Sequence, residues 1–274
     1  MLLKTRCLFA LLALGLSIFG WGYLNATADP TVRHASIRST DWPDGQRPVR
    51  IAFLSDIHAA EPGTSPRRIA EIVQQVNSQE PDIILLGGDF VSTKQIAWSH
   101  PDFTAAVAPL ADLEAPLGVY AVLGNHDHWR DAEQGKIALE KIGITVLNND
   151  ALQVGPVALG GVDDAFTHHA NVPGTIAAMG RLTGLKVLLS HSPDVMPDAD
   201  GAELVLAGHT HCGQIALPLI GPIVTMSRFG KRYACGRIEE DGRTLIVGAG
   251  TGTSLLPIRF GAPPDIWIIE VKSQ

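Results

Sequence analysis

The sequence predicts an α/β fold, in which buried strands alternate with amphipathic helices. Short apolar runs rich in strand-forming residues, such as 49–54, recur along the chain, and stretches with apolar residues at helical spacing lie between them. The chain has 274 residues, of which 46% are hydrophobic, and this is enough for one large core. Without its N-terminal segment it keeps about 245 residues, which suit one α/β domain better than two small domains.

Residues 1–28 are predicted to be a membrane anchor or a signal segment. Lys4 and Arg6 precede an uncharged stretch, whose strongly apolar part is residues 7–24. This length is marginal for a helix that spans a bilayer and long for the core of a cleaved signal peptide. A retained anchor is slightly favoured, although the small residues 26–28 also resemble a cleavage site. The N-terminal charges favour a cytoplasmic amino end and a domain on the extracytoplasmic side of the membrane.

The remaining elements are predicted in an alternating order. Residues 29–48, with three prolines and a glycine, are predicted as a linker, and residues 49–274 as the folded domain. The strand over 49–54 is followed by a helix that begins at residues 64–66. Buried strands are then predicted in "PDIILLGGDF", "GVYAVLGNHDHW", "LKVLLSHSP" and "AELVLAGHTH". A second helix near residues 131–142, a hairpin at the Asp-Gly of "RIEEDGRTL" and a closing strand "DIWIIEV" complete the domain.

Five of the apolar runs end in side chains that can bind a metal ion. These side chains are Asp56 and His58, Asp89, Asn125 with His126 and Asp127, His191, and His209 with His211. Singly, each has an ordinary structural interpretation, such as a helix cap, a turn residue or a core histidine. Functional groups gather at the carboxyl ends of strands in open α/β sheets, so five such endings together favour one shared site. Gly88, Gly124 and Gly208 would permit tight turns there.

The residue types in this set favour divalent metal ions. Asp, Asn and His without cysteine suit borderline or hard ions such as Mn, Fe or Zn. Six or seven ligands are too many for one tetrahedral ion, but they suit two ions that share a bridging carboxylate. Asp89 is the natural bridge because it stands alone at its strand end. In Asp56-x-His58 and His209-x-His211, the spacing can bring both side chains to one side of an extended segment.

The strand-end residues and their neighbours form a specific set of motifs. They are Asp56-x-His58, Gly88-Asp89, Gly124-Asn125-His126-Asp127, His191 and Gly208-His209-Thr210-His211. In these motifs the sequence resembles the calcineurin-like metallophosphoesterase family, and its tail resembles the branch of phosphodiesterases with an N-terminal membrane segment. The resemblance implies a four-layer α/β/β/α sandwich of two mixed β-sheets flanked by helices, preceded by one N-terminal hydrophobic helix.

The resemblance also implies a role for each residue of the set. Three residues would hold the first metal ion: Asp56, His58 and His211. Three would hold the second ion: Asn125, His191 and His209. Asp89 would lie between the ions, and a hydroxide held by both would attack phosphorus in line. His126 would protonate the leaving oxygen or hydrogen-bond to it, and Asp127 would orient the His126 imidazole. His128 could contact substrate or lie at the surface.

The favoured function is therefore metal-dependent hydrolysis of a phosphate ester, by a phosphodiesterase or pyrophosphatase. The apolar segment 215–224 could receive an acyl chain or the bilayer surface, or it could be a buried strand and turn. This segment and the family analogy favour a lipid-linked or nucleotide-linked substrate, such as UDP-2,3-diacylglucosamine in lipid A synthesis. The alternatives are a phosphomonoesterase and a non-catalytic, membrane-anchored metal-binding protein, although the latter would not need His126 and Asp127.

Charge and cysteine content argue against two other classes of protein. The net charge is −7 and the basic residues are scattered, so binding of nucleic acid through its phosphates is not expected. The sequence has no CxxC pair, which excludes a finger-type zinc site. Cys212 and Cys235 are the only candidates for a bridge outside the N-terminal segment. If Cys212 is free, its thiol beside His211 could perturb the first metal or be prone to oxidation; otherwise the residue only changes backbone freedom.

Overall fold

Two six-stranded β-sheets pack face to face, and helices cover the outer face of each sheet. The structure is a computed structural model that describes residues 2–94 and 96–274. Apolar side chains of both sheets, among them Phe53 and Leu206, form the central core. The predicted sandwich of two mixed sheets flanked by helices is confirmed.

The first sheet contains the first five strands of the chain and the last one. Its members are β1 (Thr31–Ser39), β2 (Val49–Leu54), β3 (Ile83–Leu86), β4 (Val119–Ala121), β5 (Thr145–Val146) and β14 (Asp265–Ser273). Their order in the sheet is β1-β14-β2-β3-β4-β5. All neighbours are parallel except β14 and β2. Because β2, β3 and β4 run in the same direction, their carboxyl ends meet at one edge of the sheet.

The second sheet carries the later strands. Its members are β6 (Asp150–Val154), β7 (Val157–Gly161), β8 (Leu185–Leu189), β9 (Leu204–Ala207), β12 (Gly236–Glu240) and β13 (Arg243–Val247). Their order is β12-β13-β9-β8-β7-β6, with parallel pairing in the centre and an antiparallel hairpin at each edge. The predicted hairpin at Asp241-Gly242 joins β12 to β13. A separate small hairpin consists of β10 (Ala216–Leu217) and β11 (Gly221–Pro222).

Six α-helices are present in the described part of the chain. They are α1 (Leu2–Ala26), α2 (Pro66–Asn77), α3 (Phe103–Val107), α4 (Asn125–Arg130), α5 (Ala132–Lys141) and α6 (Val172–Met179). Helix α2 begins where the sequence predicts, since the Ser65 side chain accepts a hydrogen bond from Arg68 N and Pro66 occupies the first turn. The Asp131 side chain caps α5 in the same way. Three short 3₁₀ helices cover Ala108–Asp112, Pro193–Asp198 and His211–Gly213.

The strand β2 shows why the core could be predicted from sequence. Ile51 and Phe53 face the other sheet, whereas Ala52 and Leu54 face helix α2. A strand buried on both faces is apolar at nearly every position. The continuous apolar run over 49–54 follows from this double burial.

The N-terminal helix α1 is apolar and ends against the folded domain. Its residues Thr5–Ala26 are long and apolar enough to cross a membrane, by length and composition. The rings of Trp21 and Phe260 are 5.4 Å apart, and Arg259 N donates to Gly22 O at 2.9 Å. The Arg68 guanidinium donates to the carbonyl oxygens of Thr27 and Ala28. The last turns of the apolar helix are therefore held by the domain.

Part of the segment that the sequence predicts as a linker is a strand. Residues 31–39 form β1, which pairs in parallel with β14 along its whole length, so the linker prediction is wrong for these residues. As an edge strand, β1 has mostly exposed or half-buried side chains, and its sequence "TVRHASIRS" contains few apolar residues. The strand is stabilised by backbone pairing with a segment more than 200 residues away, which leaves no local sequence pattern.

The two cysteines of the domain form a disulfide. Cys212 and Cys235 are joined across a separation of 23 residues, with Cα atoms 4.6 Å apart. The interpretation of Cys212 as a free thiol beside His211 is therefore wrong. The bond links the loop that follows β9 to the segment that precedes β12.

Loss of this disulfide is expected to destabilise the protein. For C212A/C235A we expect a free energy of unfolding about 3 kcal/mol lower, because the bond restricts a 23-residue loop in the unfolded chain. Chemical denaturation in detergent, followed by circular dichroism, measures the change. C7A removes the exposed free cysteine and serves as control. Equal transition midpoints for both proteins would contradict the expectation.

Candidate active site

The predicted ligand residues all lie at the carboxyl edges of the two sheets. The loops after β2, β3, β8 and β9 carry them, together with the first turn of α4 after β4. Every one of these side chains is buried: Asp56, His58, Asp89, Asn125, His126, Asp127, His191, His209 and His211. Burial of so many polar groups is costly unless they bind one another or a ligand. The structure thus brings together the whole predicted set.

Asp56, His58 and His211 form a first group of ligand atoms. Nε2 of His58 and Nε2 of His211 are 3.1 Å apart. Oδ1 of Asp56 is 3.5 Å from the His211 nitrogen and 3.9 Å from the His58 nitrogen. A cation could contact all three atoms at once. This group has the composition predicted for the first metal ion.

Asn125, His191 and His209 form a second group. Nε2 of His191 lies 3.1 Å from Oδ1 of Asn125 and 3.2 Å from Nδ1 of His209. The other ring nitrogen of His191 is 2.7 Å from the carbonyl oxygen of Gly87, which is suited to accept its proton. That hydrogen bond leaves the lone pair of Nε2 directed at the group, as in metal-binding histidines. His191 is therefore part of the site.

Asp89 lies between the two groups. Its Oδ2 is 3.3 Å from Nε2 of His58 in the first group and 3.3 Å from Nε2 of His191 in the second. Its Oδ1 accepts a hydrogen bond from His126 N at 2.8 Å, which fixes the carboxylate in this position. From this position one carboxylate could bind two neighbouring cations.

Burial and neighbouring charges shift the pKa values of the site residues. Burial lowers the pKa of His58 and of His211 well below the usual histidine value, so both are neutral, which is the form that binds metal. Burial alone would raise the pKa of Asp89, but attraction to His191 holds it well below its usual value, and the same attraction raises the pKa of His191 well above the usual histidine value. A cation at the second group would therefore replace the proton on Nε2 of His191, and the resulting neutral imidazoles, carboxylates and amide oxygen form a donor set that suits two divalent ions.

The backbone of the ligand loops differs from the prediction. Five ligands have left-handed φ angles between 47° and 68°: Asp56, His58, Asp89, His209 and His211. The interpretation of the i, i+2 pairs as extended segments is therefore wrong, because each loop turns sharply at its ligands. Non-glycine residues adopt this conformation at a cost, and such residues cluster at functional sites. A Cβ atom on Gly124 would collide with the Asp89 carboxylate, as one on Gly208 would with Asp56.

His126 lines the cavity above the ligand groups. Its ring packs edge-on against His58, with centroids 4.5 Å apart, and tilts against Trp129. Nδ1 of His126 is 2.7 Å from Oγ1 of Thr93, and Nε2 is 4.0 Å from Oδ2 of Asp89. The imidazole is thus held through Nδ1 by Thr93, a residue that no motif in the sequence indicates.

Asp127 organises the backbone of the site, and in this it departs from the predicted role. Its carboxylate accepts hydrogen bonds from the backbone N–H groups of Asp89, Phe90, Val91 and Gly124, at 2.8 to 3.2 Å. Within the described residues, no hydrogen bond joins this carboxylate to the His126 imidazole. The predicted orientation of His126 by Asp127 is therefore wrong; Asp127 instead holds the Asp89 loop against the start of α4.

Arg259 is a second residue of the site that the sequence did not indicate. Its buried guanidinium donates to four carbonyl oxygens, those of Ala249, Gly250, Gly252 and Ala262. Nη2 also lies 3.3 Å from Nδ1 of His211. Burial lowers the pKa of Arg259 to about 10, so the side chain remains a cation at neutral pH. Arg259 thus orders the loop after β13 against the first ligand group.

A cavity of about 370 Å³ opens above the ligand groups. Its floor includes Asp89 and His126, and its walls are mostly apolar. The wall residues include Trp129, Phe166, Ile223, Val224, Met226, Leu255 and Leu256. The segment 215–224 is therefore not buried: it contains the exposed hairpin β10–β11. His128 bonds to Asp163 at 2.7 Å and stacks on His169 outside the cavity lining.

Comparison with known proteins agrees with the geometry of the site. The sequence profile of the "Calcineurin-like phosphoesterase" family matches residues 49–213. "Uncharacterized metallophosphoesterase YkuE" of Bacillus subtilis (strain 168) is 31% identical over 97% of this chain and 95% of its own length. "Phosphodiesterase YaeI" of Escherichia coli (strain K12) is 30% identical over 99% of this chain and 100% of its own length.

A solved structure shows the same fold at low sequence identity. The Haemophilus influenzae NAD nucleotidase (NadN) superposes on 75% of this chain and 46% of its own, with a TM-score of 0.50 and 13% identity. The profile match covers more than half of the chain and every ligand described above. This chain therefore belongs to the calcineurin-like phosphoesterase family of metal-dependent enzymes.

Proposed function

We propose that the protein hydrolyses phosphodiesters with two divalent metal ions. The observation that carries this proposal is the position of Asp89, whose Oδ2 is 3.3 Å from a ligand nitrogen on either side. Asp56, His58 and His211 would hold one ion, and Asn125, His191 and His209 the other. Ions such as Mn, Fe or Zn suit these donors. Bound there, they would supply Lewis-acid charge for the phosphoryl oxygens and activate water.

In this proposal His126 acts on the phosphate. Burial lowers its pKa, so the imidazole is neutral at pH 7, and a Thr93 hydroxyl that donates to Nδ1 would place the ring proton on Nε2. Nε2 of His126 faces Asp89, and both residues line the cavity. The proton on Nε2 could therefore be donated in a hydrogen bond to the leaving oxygen of a substrate bound there. Asp127 acts as a positioning residue through the backbone of the Asp89 loop.

The cavity lining favours a diester over a monoester. Among the described residues that line it, none is Lys or Arg, and the walls carry large apolar side chains such as Trp129, Phe166 and Leu255. A phosphomonoester carries a second negative charge that such walls would not offset. A phosphodiester with an apolar substituent, of the lipid-linked kind, fits this lining better.

We further propose that α1 is retained as a membrane anchor and that the domain lies on the extracytoplasmic side. The hydrogen bonds from Arg68 and Arg259 to the end of α1 support retention, since cleavage there would remove their acceptors. The Cys212–Cys235 disulfide supports an oxidising compartment, in which such bonds persist. The N-terminal Lys4 and Arg6 suit a cytoplasmic amino end.

The test of the proposed function is hydrolysis of bis(p-nitrophenyl) phosphate and of p-nitrophenyl phosphate by the full chain in detergent with Mn²⁺. We expect the diester to be preferred and His126→Ala to lower kcat about 10² to 10⁴-fold, because a hydrogen-bond donor to the leaving oxygen is lost. Metal content, measured by mass spectrometry, should stay at two ions per chain. His34→Ala, on the exposed edge of β1, is the matched control.

Three results would each contradict a part of this proposal. Equal turnover by wild type and His126→Ala would remove the assigned role of His126. Preference for the monoester would favour a phosphomonoesterase. Two bound ions without hydrolysis of either ester would favour a metal-binding protein without catalysis.

A further inference from the structure

The mouth of the cavity carries an unusual amount of exposed apolar surface. Two segments form it: residues 217–226, which contain the turn of the β10–β11 hairpin, and residues 255–256. We call these two segments the apolar rim. Within it Ile220 is 56% exposed, Leu255 is 74% exposed and Leu219 is fully exposed. Soluble monomers rarely expose a large apolar patch, and such a patch usually marks a site of interaction with a protein, a membrane or a ligand.

Leu219 at the tip of the rim has no structural reason to be apolar. Its backbone has φ 65°, a left-handed conformation that Gly, Asn or Asp adopts more readily than Leu. Its side chain is exposed and packs against no core cluster among the described residues. A large apolar residue at this position contributes little to folding, and its exposed side chain is available for a contact outside the chain.

The rim and the end of the apolar helix α1 flank the same short segment. On one side, Phe260 pairs with the beginning of the rim hairpin: Phe260 N donates to Gln214 O at 3.0 Å and Ala216 N to Phe260 O at 2.7 Å. On the other side, Gly22 of α1 packs against the Phe260 ring. Because the end of α1 contacts this segment, a membrane anchor formed by α1 would hold the rim close to the bilayer.

The charges around the rim suit a membrane surface. Residues 215–235 contain no Asp or Glu and carry three basic residues, Arg228, Lys231 and Arg232. Arg228 contacts Asp194 and Arg232 contacts Glu240, while the Lys231 ammonium donates to Ile220 O beside the tip of the rim. An ammonium group next to exposed apolar side chains can contact lipid phosphates while the apolar side chains enter the acyl region.

We propose that the apolar rim inserts into the interface of the bilayer that α1 spans, so that the catalytic cavity opens onto the lipid. The partner of this surface is the bilayer itself, and the continuity of the rim with the docked end of α1 supports that choice over a protein partner. This inference rests on the proposed function for the identity of the substrate, a phosphodiester. The apolar part of that substrate would stay in the leaflet while its phosphate reaches Asp89 and His126.

Site-directed fluorescence in lipid nanodiscs tests the placement of the rim. On a C7S background, an environment-sensitive probe is attached at L219C, at L255C or at E114C. Glu114 is an exposed residue that precedes β4, at the sheet edge opposite the site, and provides the matched control. The nanodiscs contain phosphatidylcholine and phosphatidylglycerol, with or without a doxyl-labelled lipid. We expect a blue shift and several-fold stronger quenching at positions 219 and 255 than at 114.

A second variant and a parallel assay separate the possible outcomes. Leu219→Asp places a charge at the tip in a conformation that Asp tolerates, so it should fold and should reduce quenching of the probe at 255. Quenching at 219 and 255 as weak as at 114 would overturn the proposal. Hydrolysis of bis(p-nitrophenyl) phosphate by the unlabelled C7S protein in the same nanodiscs is recorded alongside. Its absence would count against the proposed function, whereas the quenching decides the placement of the rim by itself.

Discussion

Replacing Asp89 with asparagine is expected to abolish most of the activity and to weaken metal binding. The substitution keeps the size of the side chain but removes the negative charge that lies between Nε2 of His58 and Nε2 of His191. Loss of a residue that merely supports a ligand costs about 10- to 100-fold in metal affinity or activity, so loss of a bridging ligand should cost at least about 100-fold. Calorimetric titration with Mn²⁺ and steady-state hydrolysis of bis(p-nitrophenyl) phosphate measure the two effects.

A buried aspartate outside the site provides the control for Asp89→Asn. Asp82 directly precedes β3 and lies far from the carboxyl edge of the sheet. Its carboxylate accepts hydrogen bonds from the Arg47 guanidinium and from Arg50 N. Asp82→Asn should retain two metal ions and near wild-type turnover. If Asp89→Asn also binds two ions with unchanged affinity, the two groups of ligands do not share this carboxylate and the binuclear site is refuted.

Replacing Asp127 with alanine is expected to destabilise the protein and to lower its activity. Its carboxylate accepts four buried backbone N–H groups, from Asp89, Phe90, Val91 and Gly124. Each buried donor left without a partner costs about 1–3 kcal/mol, and some relaxation is possible, so we expect the free energy of unfolding to fall by about 4 kcal/mol. Activity should fall as well, because the N–H of Asp89 is among the four donors. Asp127→Asn, which keeps one acceptor oxygen, should recover part of the stability.

The helix cap Asp131 offers a matched comparison for Asp127. Its side chain accepts one hydrogen bond, from Gln134 N at the start of α5, and Asp131→Ala should cost about 1 kcal/mol. Urea denaturation of both variants in detergent gives the two free energies. If Asp127→Ala is no less stable than Asp131→Ala, the carboxylate does not organise the loop as described, and direct orientation of the His126 imidazole would again be the better hypothesis.

The strands and the convergence of the candidate metal ligands could be predicted because both leave local patterns in the sequence. Strands such as β2 and β9 are buried on both faces, so their residues form continuous apolar runs. Parallel strands meet at one edge of a sheet, so ligand-type residues at their ends converge. The prediction that Asp89 bridges the two ions required only that Asp89 stands alone at the end of β3. The motifs around these residues are specific enough to indicate the family from the sequence alone.

Other parts of the site could not be predicted, because they depend on contacts between residues far apart in the chain. Thr93 meets His126 across 33 residues, Asp127 meets Asp89 across 38, and Arg259 meets His211 across 48. None of these contacts leaves a short-range pattern of residues in the sequence from which it could be predicted. The left-handed backbone at the ligands is likewise imposed by the packing of the loops, since Asp and His more often adopt other conformations.

The sequence by itself therefore determined the order of the strands along the chain, the identity of the candidate ligands and the presence of an apolar N-terminal helix. Only the tertiary structure decided what holds the ligands in place, that residues 31–39 join a sheet, and that the apolar rim adjoins the end of α1. The physical reason is the same in each case. Hydrophobic periodicity and strand-end chemistry are local properties of a sequence, whereas hydrogen bonds to backbone atoms and the pairing of an edge strand depend on which distant segments the folded core brings together.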